Sequence, residues 1–467
     1  MLTTRIRHPF ARNVTRRELL QVGYSSALGL GCSALVGRNG SAAETARTAN
    51  GRRAKSVIVV FLTGAASHID LFDPKPDAPA ETRGEFAAIA TQTPGIQLGE
   101  HLPKLAARSD KLAIVRSMSH GENNHLLATH QVLTGYAIPG GIFDQVASRN
   151  DYPCYAGALD YLRARHDGVP NGVTLPTFLV EGPLTWPGQH AGFLGQRHDP
   201  WHIRQDPNDP KFQVDILRLA DGVSSDRLRQ RESLRSDVNR SREPNGTTAD
   251  RHEFLIQQSQ ALEMLTSGQI ARAFDIHREP AENRDRYGRH MFGQSLLLAR
   301  RLVQAGVPIV QCNMGRVQNW DTHSNNFGRL KNELLPPLDK GVAALLDDLA
   351  STGMLNETLV VMFGEFGRTP KISTLPGQKS AGRDHWAPVF SAVFAGAGVR
   401  GGQTLGKSDA IGAYPVSTKY APADLAATIY DSLGIPPDAE LHDKQKRPVA
   451  LNRGEVIQPL YSGNGNG

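Results

Sequence analysis

Short apolar runs separated by longer amphipathic stretches set the rhythm of this chain. The runs fall at 56–62, 112–115, 177–180, 307–312, 358–363 and 389–395. Each is too brief for a buried helix, and most are rich in β-branched residues, which predicts strands covered on both faces. The intervening stretches carry apolar residues at helical spacing. The clearest spans 330–351, where Leu334, Leu338, Val342, Leu345, Leu346 and Leu349 share one face. Further helices are expected from about 124 to 133 with Gly135 as the cap, at 251–265, at 287–304, and at 421–430 with Pro422 in the first turn. Strand alternating with helix predicts an α/β fold, a doubly wound and mostly parallel sheet with helices on both faces. No repeat of 20 to 50 residues is present.

The pattern also marks off the parts that do not belong to the sheet. Thr15-Arg16-Arg17-Glu18-Leu19-Leu20, a modest apolar segment to Val36 and the small residues Ser41-Ala42-Ala43 read in order as a twin-arginine signal peptide over 1–43. That segment holds several Gly and Ser residues, too polar for a stable membrane span. A linker is expected over 44–55, a single domain over 56–461 with a polar surface excursion at about 198–250, and a disordered tail over 462–467. The expected location is therefore the periplasm or the cell exterior.

Charge changes the picture once the leader is set aside. The chain carries a net +6 with a pI near 9.2. Residues 1–43 hold six arginines against Glu18 alone, so removing them leaves about +1. A nucleic-acid partner loses its electrostatic support. After the leader only Cys154 and Cys312 remain. A disulfide is allowed in an oxidising compartment, and two buried thiols fit as well.

The candidate chemistry lies just past the ends of the expected strands, where open α/β sheets place their ligand crevice. The 307–312 run leads into Trp320-Asp321-Thr322-His323, and the 358–363 run into Gly364-Glu365-Phe366-Gly367-Arg368. Gly382-Arg383-Asp384-His385-Trp386 follows. Carboxylate and neutral imidazole suit a divalent metal. A lone Asp-x-His is a weak signal, and each group alone is more often a cap or an ion pair. Three such groups at strand ends favour a metal or catalytic site. Ser67, His68, Asp70 and Asp73 follow the first run, and Asn123-Asn124-His125 opens the first helix, where free backbone N–H groups could hold an anion. A plain N-cap is the competing role for Asn124. His101, His166, His190, His198, His202, His252, His277 and His442 have no acidic partner at a telling spacing and are expected at the surface.

Taken together, the leader, Phe61-Leu62-Thr63-Gly64, His68-Ile69-Asp70-Leu71-Phe72-Asp73-Pro74-Lys75, Asn123-Asn124-His125, Trp320-Asp321-Thr322-His323, Glu365-Phe366-Gly367-Arg368-Thr369-Pro370 and Gly382-Arg383-Asp384-His385-Trp386 resemble one family. It is the exported "domain of unknown function 1501" family, often labelled sulfatase-like and placed in the alkaline phosphatase superfamily. The resemblance implies an alkaline phosphatase-like fold and hydrolysis of a phosphate or sulfate ester with divalent metal; zinc, calcium and manganese are not distinguished. It implies Asp321, His323 and His385 as metal ligands, with Asp70 and Asp384 beside them. Glu365, Arg368, Asn124 and His125 are the expected catalytic or anion-binding residues. The partner is then a small anionic ester or a sulfated or phosphorylated glycan.

Three departures stand out. Cys312-Asn313-Met314-Gly315-Arg316 lacks the centre of a sulfatase nucleophile motif, Glu365-Phe366 stands where an Asp-His pair is expected, and no Ser or Thr occupies the nucleophile position at Asn123-Asn124. They keep a second reading open, a non-catalytic exported binding protein on the same fold.

Overall fold

A computed structural model describes residues 54–463, apart from positions 139, 143, 144 and 166 and the stretch 215–267, where only scattered positions are described. The expected leader, most of the linker, the helix at 251–265 and most of the tail lie outside the described residues.

Eight strands form the main sheet: β1 (Ser56–Phe61), β2 (Ala113–Met118), β3 (Gly172–Leu175), β4 (Trp201–His202), β5 (Ile309–Asn313), β6 (Thr358–Phe363), β7 (Phe390–Ala395) and β8 (Gln403–Leu405). Their spatial order is β8-β2-β7-β6-β1-β5-β3-β4. β1 is central and parallel to both neighbours, with Val57 opposite Leu359 on one side and Ile309 on the other. Only β7 runs against the rest, antiparallel to β6 and β2. The mostly parallel sheet is as expected.

The helices that position the site are α1 (His125–Thr134), α2 (Tyr155–Leu162), α3 (Met291–Gln304), α4 (Leu335–Ser351) and α5 (Pro422–Ser432). Strand side chains alternate between faces. Ile58 and Val60 of β1 pack into one core with Leu296 and Leu302 of α3 and Leu338 and Leu345 of α4. Val57, Val59 and Phe61 pack into another with Val132 of α1, Tyr155 of α2 and Ile429 of α5. Both faces are covered, which is why β1 and β6 are buried at every position. Among the described residues no helix is long and apolar enough to cross a membrane. Cys154 and Cys312 are buried free thiols.

Two expected elements are corrected. The run 177–180 is not a sheet strand; Val180–Glu181 pairs with Leu184–Thr185 in a small hairpin and Val180 is exposed. The strand is Gly172–Leu175, ended by Pro176, which has no N–H to give a ladder. Gly172 is required there, since a Cβ would lie 2.2 Å from that of Ala156 on α2. The long helix expected from 330 is α only from Leu335; Leu330–Leu334 is a π turn. Pro336 and Pro337 donate no N–H to the preceding turn, so the ladder widens there.

Candidate metal centre

The C-terminal ends of β1, β5 and β6 are tied into one surface. Gly64, just past β1, has φ +100°, and a Cβ on it would stand 2.8 Å from the Asp321 nitrogen. That close approach lets Trp320 N–H reach the Thr63 carbonyl at 2.9 Å, which sets where Asp321 begins. Past β6, Gly64 N–H donates to both Glu365 oxygens, at 2.9 and 3.1 Å. A two-strand ribbon pairs Gly367 with Trp386 and Arg368 with His385, and so carries His385 alongside. Arg383 N–H donates to the Thr322 carbonyl at 3.0 Å, laying the Asp384 segment against His323. Helix α1 points its first residue, His125, at the same place; Asn124 caps it by accepting from the Leu126 and Leu127 N–H groups at 3.0 and 3.2 Å.

Three imidazoles converge on one carboxylate. Asp321 Oδ1 lies 3.1 Å from His323 Nε2 and 3.4 Å from His385 Nε2, and Oδ2 lies 3.3 Å from His125 Nε2. The two nitrogens His323 Nε2 and His385 Nε2 are 3.0 Å apart. His125, Asp321 and His385 each offer one donor atom within 4.8 Å of the others. Each ring is oriented through its other nitrogen: His125 Nδ1 donates to Glu365 at 2.6 Å, His323 Nδ1 to Asp384 at 2.7 Å and His385 Nδ1 to the Asn123 carbonyl at 2.8 Å. The His125 ring is also held between Trp186 and Phe366, with centroids at 5.6 and 4.9 Å.

Arg368 is fully buried, donates to the Gly64 and Ala65 carbonyls, and stands 2.5 Å from Asp321 Oδ1. Burial opposes the charge on Asp321, yet His125, His385 and Arg368 hold its pKa well below the carboxylate range. The rings around it diverge. Burial lowers His385, whereas for His125 the hydrogen bonds to Asp321 and Glu365 outweigh burial and the net direction is up. A second carboxylate lies behind His125, and only a carbonyl behind His385.

Of the expected site residues, Asp321, His323, His385, Asp384, His125, Glu365 and Arg368 come together. Asp384 supports His323 instead of facing the cluster. Glu365 is wholly buried beneath His125, and Arg368 is committed to carbonyls and Asp321, so neither presents a charge to a ligand. Asp70 is not brought in: its carboxylate accepts from Arg383 at 2.9 and 3.0 Å and from Asn326 at 3.0 Å, in a closed buried pair. Asn124 is an N-cap, and Ser67 is another, buried and accepting from Asp70 N–H. His190 and His198, expected at the surface, are buried. The ligand geometry of His125 was missed in the sequence because its partners are distant there; its place at a strand-to-helix junction was the available signal.

The donors fit a metal. His125 Nε2 and Asp321 Oδ1 are buried and close no well-directed hydrogen bond, having ion-pair contacts instead, His125 Nε2 to Asp321 Oδ2 at 3.3 Å and Asp321 Oδ1 to Arg368 at 2.5 Å. Imidazoles whose second nitrogen donates to a carboxylate or carbonyl are the usual frame of a bound cation.

Residues 54–461 match the family described as "protein of unknown function (DUF1501)". The chain belongs to that family. No curated protein matches it. Solved structures similar to this DUF1501 chain include a sulfatase from Pseudoalteromonas sp., with TM-score 0.41 and 11% identity over 90% of this chain and 74% of that one. An alkaline phosphatase from the Antarctic bacterium TAB5 has TM-score 0.36 and 13% identity over 82% and 99%. A phosphonate monoester hydrolase from Silicibacter pomeroyi has TM-score 0.31 and 10% identity over 88% and 77%. These likenesses are loose in geometry and bring no reaction with them.

Proposed function

We propose that this chain is an exported, metal-dependent hydrolase of a phosphate or sulfate ester. The observation that carries the reading is the convergence of three imidazole nitrogens on Asp321, past the ends of β1, β5 and β6, with His323 and His385 about a quarter to a third exposed. Asp321 and the imidazoles around it would hold the ion. When bound, a divalent ion there activates water or polarises an ester oxygen. Glu365 and Asp384 fix the orientation of His125 and His323, and Arg368 fixes Asp321. Trp186 and Phe366 shut water out from behind His125. Among the described residues both cysteines are buried and Ser67 is a cap, which supports direct attack by water over a covalent route. The substrate would be a small anionic ester or a sulfated or phosphorylated glycan, met in the periplasm or outside the cell.

A binding protein that kept the fold is favoured by one observation: Arg368, the expected clamp for an anionic group, is fully buried. A screen of phosphate mono- and diesters and sulfated sugars against defined divalent ions separates the two. The hydrolase reading expects metal-stimulated turnover that drops at least ~100-fold in Asp321→Ala and His323→Ala. Wild type that hydrolyses none of them, or variants that match it, removes the reading.

A further inference from the structure

Just past β8 the chain folds into a hairpin that the metal cluster does not explain. Ser408 pairs with Pro415, Asp409 N–H donates to the Tyr414 carbonyl at 2.9 Å, and Val416 N–H donates to that of Lys407 at 2.8 Å. The Asp409 carboxylate accepts from the Ile411, Ala413 and Tyr414 N–H groups at 3.2, 2.7 and 3.1 Å, which fixes the shape of the tip. The motif that follows β1 pins the hairpin from below. Ser408 Oγ donates to Asp73, His68 Nε2 donates to the Gly412 carbonyl at 2.8 Å, and a Cβ on Gly412 would lie 2.9 Å from the Ile69 side chain. His68 and Asp73 stand outside the metal cluster and hold this hairpin instead. So firm a turn nevertheless leaves apolar side chains in water: Ile411 is 41% exposed, Tyr414 53% and Val416 60%. Rigid exposed apolar surface of this kind marks a place where something binds, because its ordering cost is already met.

The Tyr414 ring stands against Trp386, with centroids 5.5 Å apart and planes at 65°, and Trp386 Nε1 donates to the Ala413 carbonyl at 2.6 Å, which fixes the indole. Trp386 follows His385 in the two-strand ribbon, and neighbours on a strand face opposite ways. His385 and its cross-strand partner Arg368 turn to Asp321, while Trp386 and its partner Gly367 turn to the hairpin and His68. The centre and the aromatic pair thus lie on the two sides of one ribbon. We propose that Trp386 and Tyr414 form a stacking platform for a sugar ring, so that the ester meant for the centre is carried on an anionic oligosaccharide and is not a small free ester. The inference rests on the hydrolase reading for what the sugar carries; the platform holds sugar whether or not the ester is cut. C–H bonds on one face of a sugar ring carry slight positive charge and lie well against the negative face of an aromatic ring, while the hydroxyls keep to water. Tyr and Trp suit the task, each joining an apolar body to a polar edge with few rotatable bonds to fix. Charge agrees: Asp409 is committed to backbone N–H groups, whereas Lys407 and Lys419 are exposed and complement sulfate or phosphate along the ligand. A lipid surface would need side chains free to insert, and Trp386 is half-buried and tied through its N–H. A small ester at the centre would not reach across the ribbon, so the platform has a use only for a longer ligand.

The test uses the full chain, treated with a chelator so that no ester is cut, and titrated by calorimetry with hexasaccharides of sulfated galactan, sulfated glycosaminoglycan and phosphomannan. At least one of the three is expected to bind. Tyr414→Ala and Trp386→Ala weaken that binding at least ~10-fold, and Tyr414→Phe keeps it within about threefold, since the ring and not the hydroxyl stacks. Tyr414→Ala leaves Tm unchanged, because the side chain is exposed, and this separates lost stacking from lost structure. Should Trp386→Ala not fold, Tyr414→Ala carries the comparison. No hexasaccharide bound, or equal affinity in wild type and Tyr414→Ala, overturns the proposal. So does Tyr414-dependent binding to phosphatidylethanolamine–phosphatidylglycerol vesicles, or a Tyr414-dependent dimer, in place of sugar. With divalent metal restored, sugar bound through Tyr414 and no ester cleaved removes the hydrolase reading and leaves the platform standing; methyl phosphate or methyl sulfate hydrolysed with no hexasaccharide bound does the reverse.

Discussion

At the edge of the sheet, His198 donates Nδ1–H to Asp160 at 2.7 Å and accepts from Arg197 Nε through Nε2 at 2.8 Å, while Asn171 donates to the other Asp160 oxygen at 2.9 Å. At the strand ends, His125 also donates Nδ1–H to a carboxylate, at 2.6 Å, but its Nε2 has no hydrogen-bond partner. The two clusters share residue types, burial and the carboxylate–imidazole pair. They differ in the second nitrogen. In the first the far nitrogen is answered by Arg197 and the cluster is a brace; in the second the far nitrogens converge on Asp321 and on one another, and that of His125 closes no well-directed hydrogen bond. A His/Asp cluster is thus a site or a strut according to what faces the far side of the ring, and residue type alone does not tell which.

The largest effect should come from Asp321. In Asp321→Asn the shared carboxylate is lost, so metal content falls to background and any ester turnover drops by ~100-fold or more. Arg368 is left buried without its counter-charge, at a cost of about 3–5 kcal/mol in the metal-free protein. His198→Gln breaks the brace instead; it should cost about 1–3 kcal/mol and leave the metal content at wild-type level. Elemental analysis beside urea unfolding reads both. Metal lost equally from the two variants would dissolve the distinction.

Asp70 supplies a second closed cluster of different chemistry. Its pair with Arg383 is wholly buried on both sides. Asp70→Asn should lower stability by about 3–5 kcal/mol, because Arg383 keeps its charge and loses its partner. Divalent-metal affinity of the folded fraction should stay within about threefold of wild type. A large fall in affinity at full stability would mean that Asp70 serves the metal after all.

How much of this was legible beforehand follows from distance along the chain. The central strands were, since β1 and β6 are nearly continuous apolar runs, β5 is apolar at Ile309, Val310 and Cys312, and β6 is found at 358–363 as expected. The two-residue β4 and three-residue β8 were not, being too short to show a period. Asp321, His323 and His385 were visible as metal chemistry because each follows a strand or its ribbon. Their supports were not: His125 meets Glu365 across 240 positions and Asp70 meets Arg383 across 313. Those pairings decide which carboxylates face inward, and only the fold makes them. The same blindness put His198 at the surface, its Asp160 lying 38 positions away.

The buried histidines outside the centre should declare themselves in acid. Burial depresses the pKa of His120, His130 and His202 to about 4. The fold therefore prefers them neutral, and the unfolded chain takes up protons first. Their contribution is intact above about pH 6.5 and is lost as pH falls toward 4, by up to about 1.4 kcal/mol per pH unit for each ring. Stability of the chelated protein, followed by urea unfolding from pH 7.5 to 4.5, should fall with at least two protons taken up. His130→Gln should flatten the slope by about one proton. An unchanged slope would mean that His130 is not held neutral.

Asn124 gives the smallest and most local contrast, because it adjoins His125 and yet belongs with the braces. Its Oδ1 accepts from Leu126 and Leu127 N–H, which leaves the side chain no oxygen lone pair aimed at the centre. Asn124→Ala should then cost about 1 kcal/mol, the ordinary loss of an N-cap, and Asn124→Asp should restore it. Neither change should alter KM for an anionic ester by more than about twofold, since the amide meets backbone and not substrate. If Asn124→Ala raises KM tenfold while Asn124→Asp fails to recover it, the side chain would be binding an anion, and the boundary drawn here between brace and site would have to move one residue into the helix.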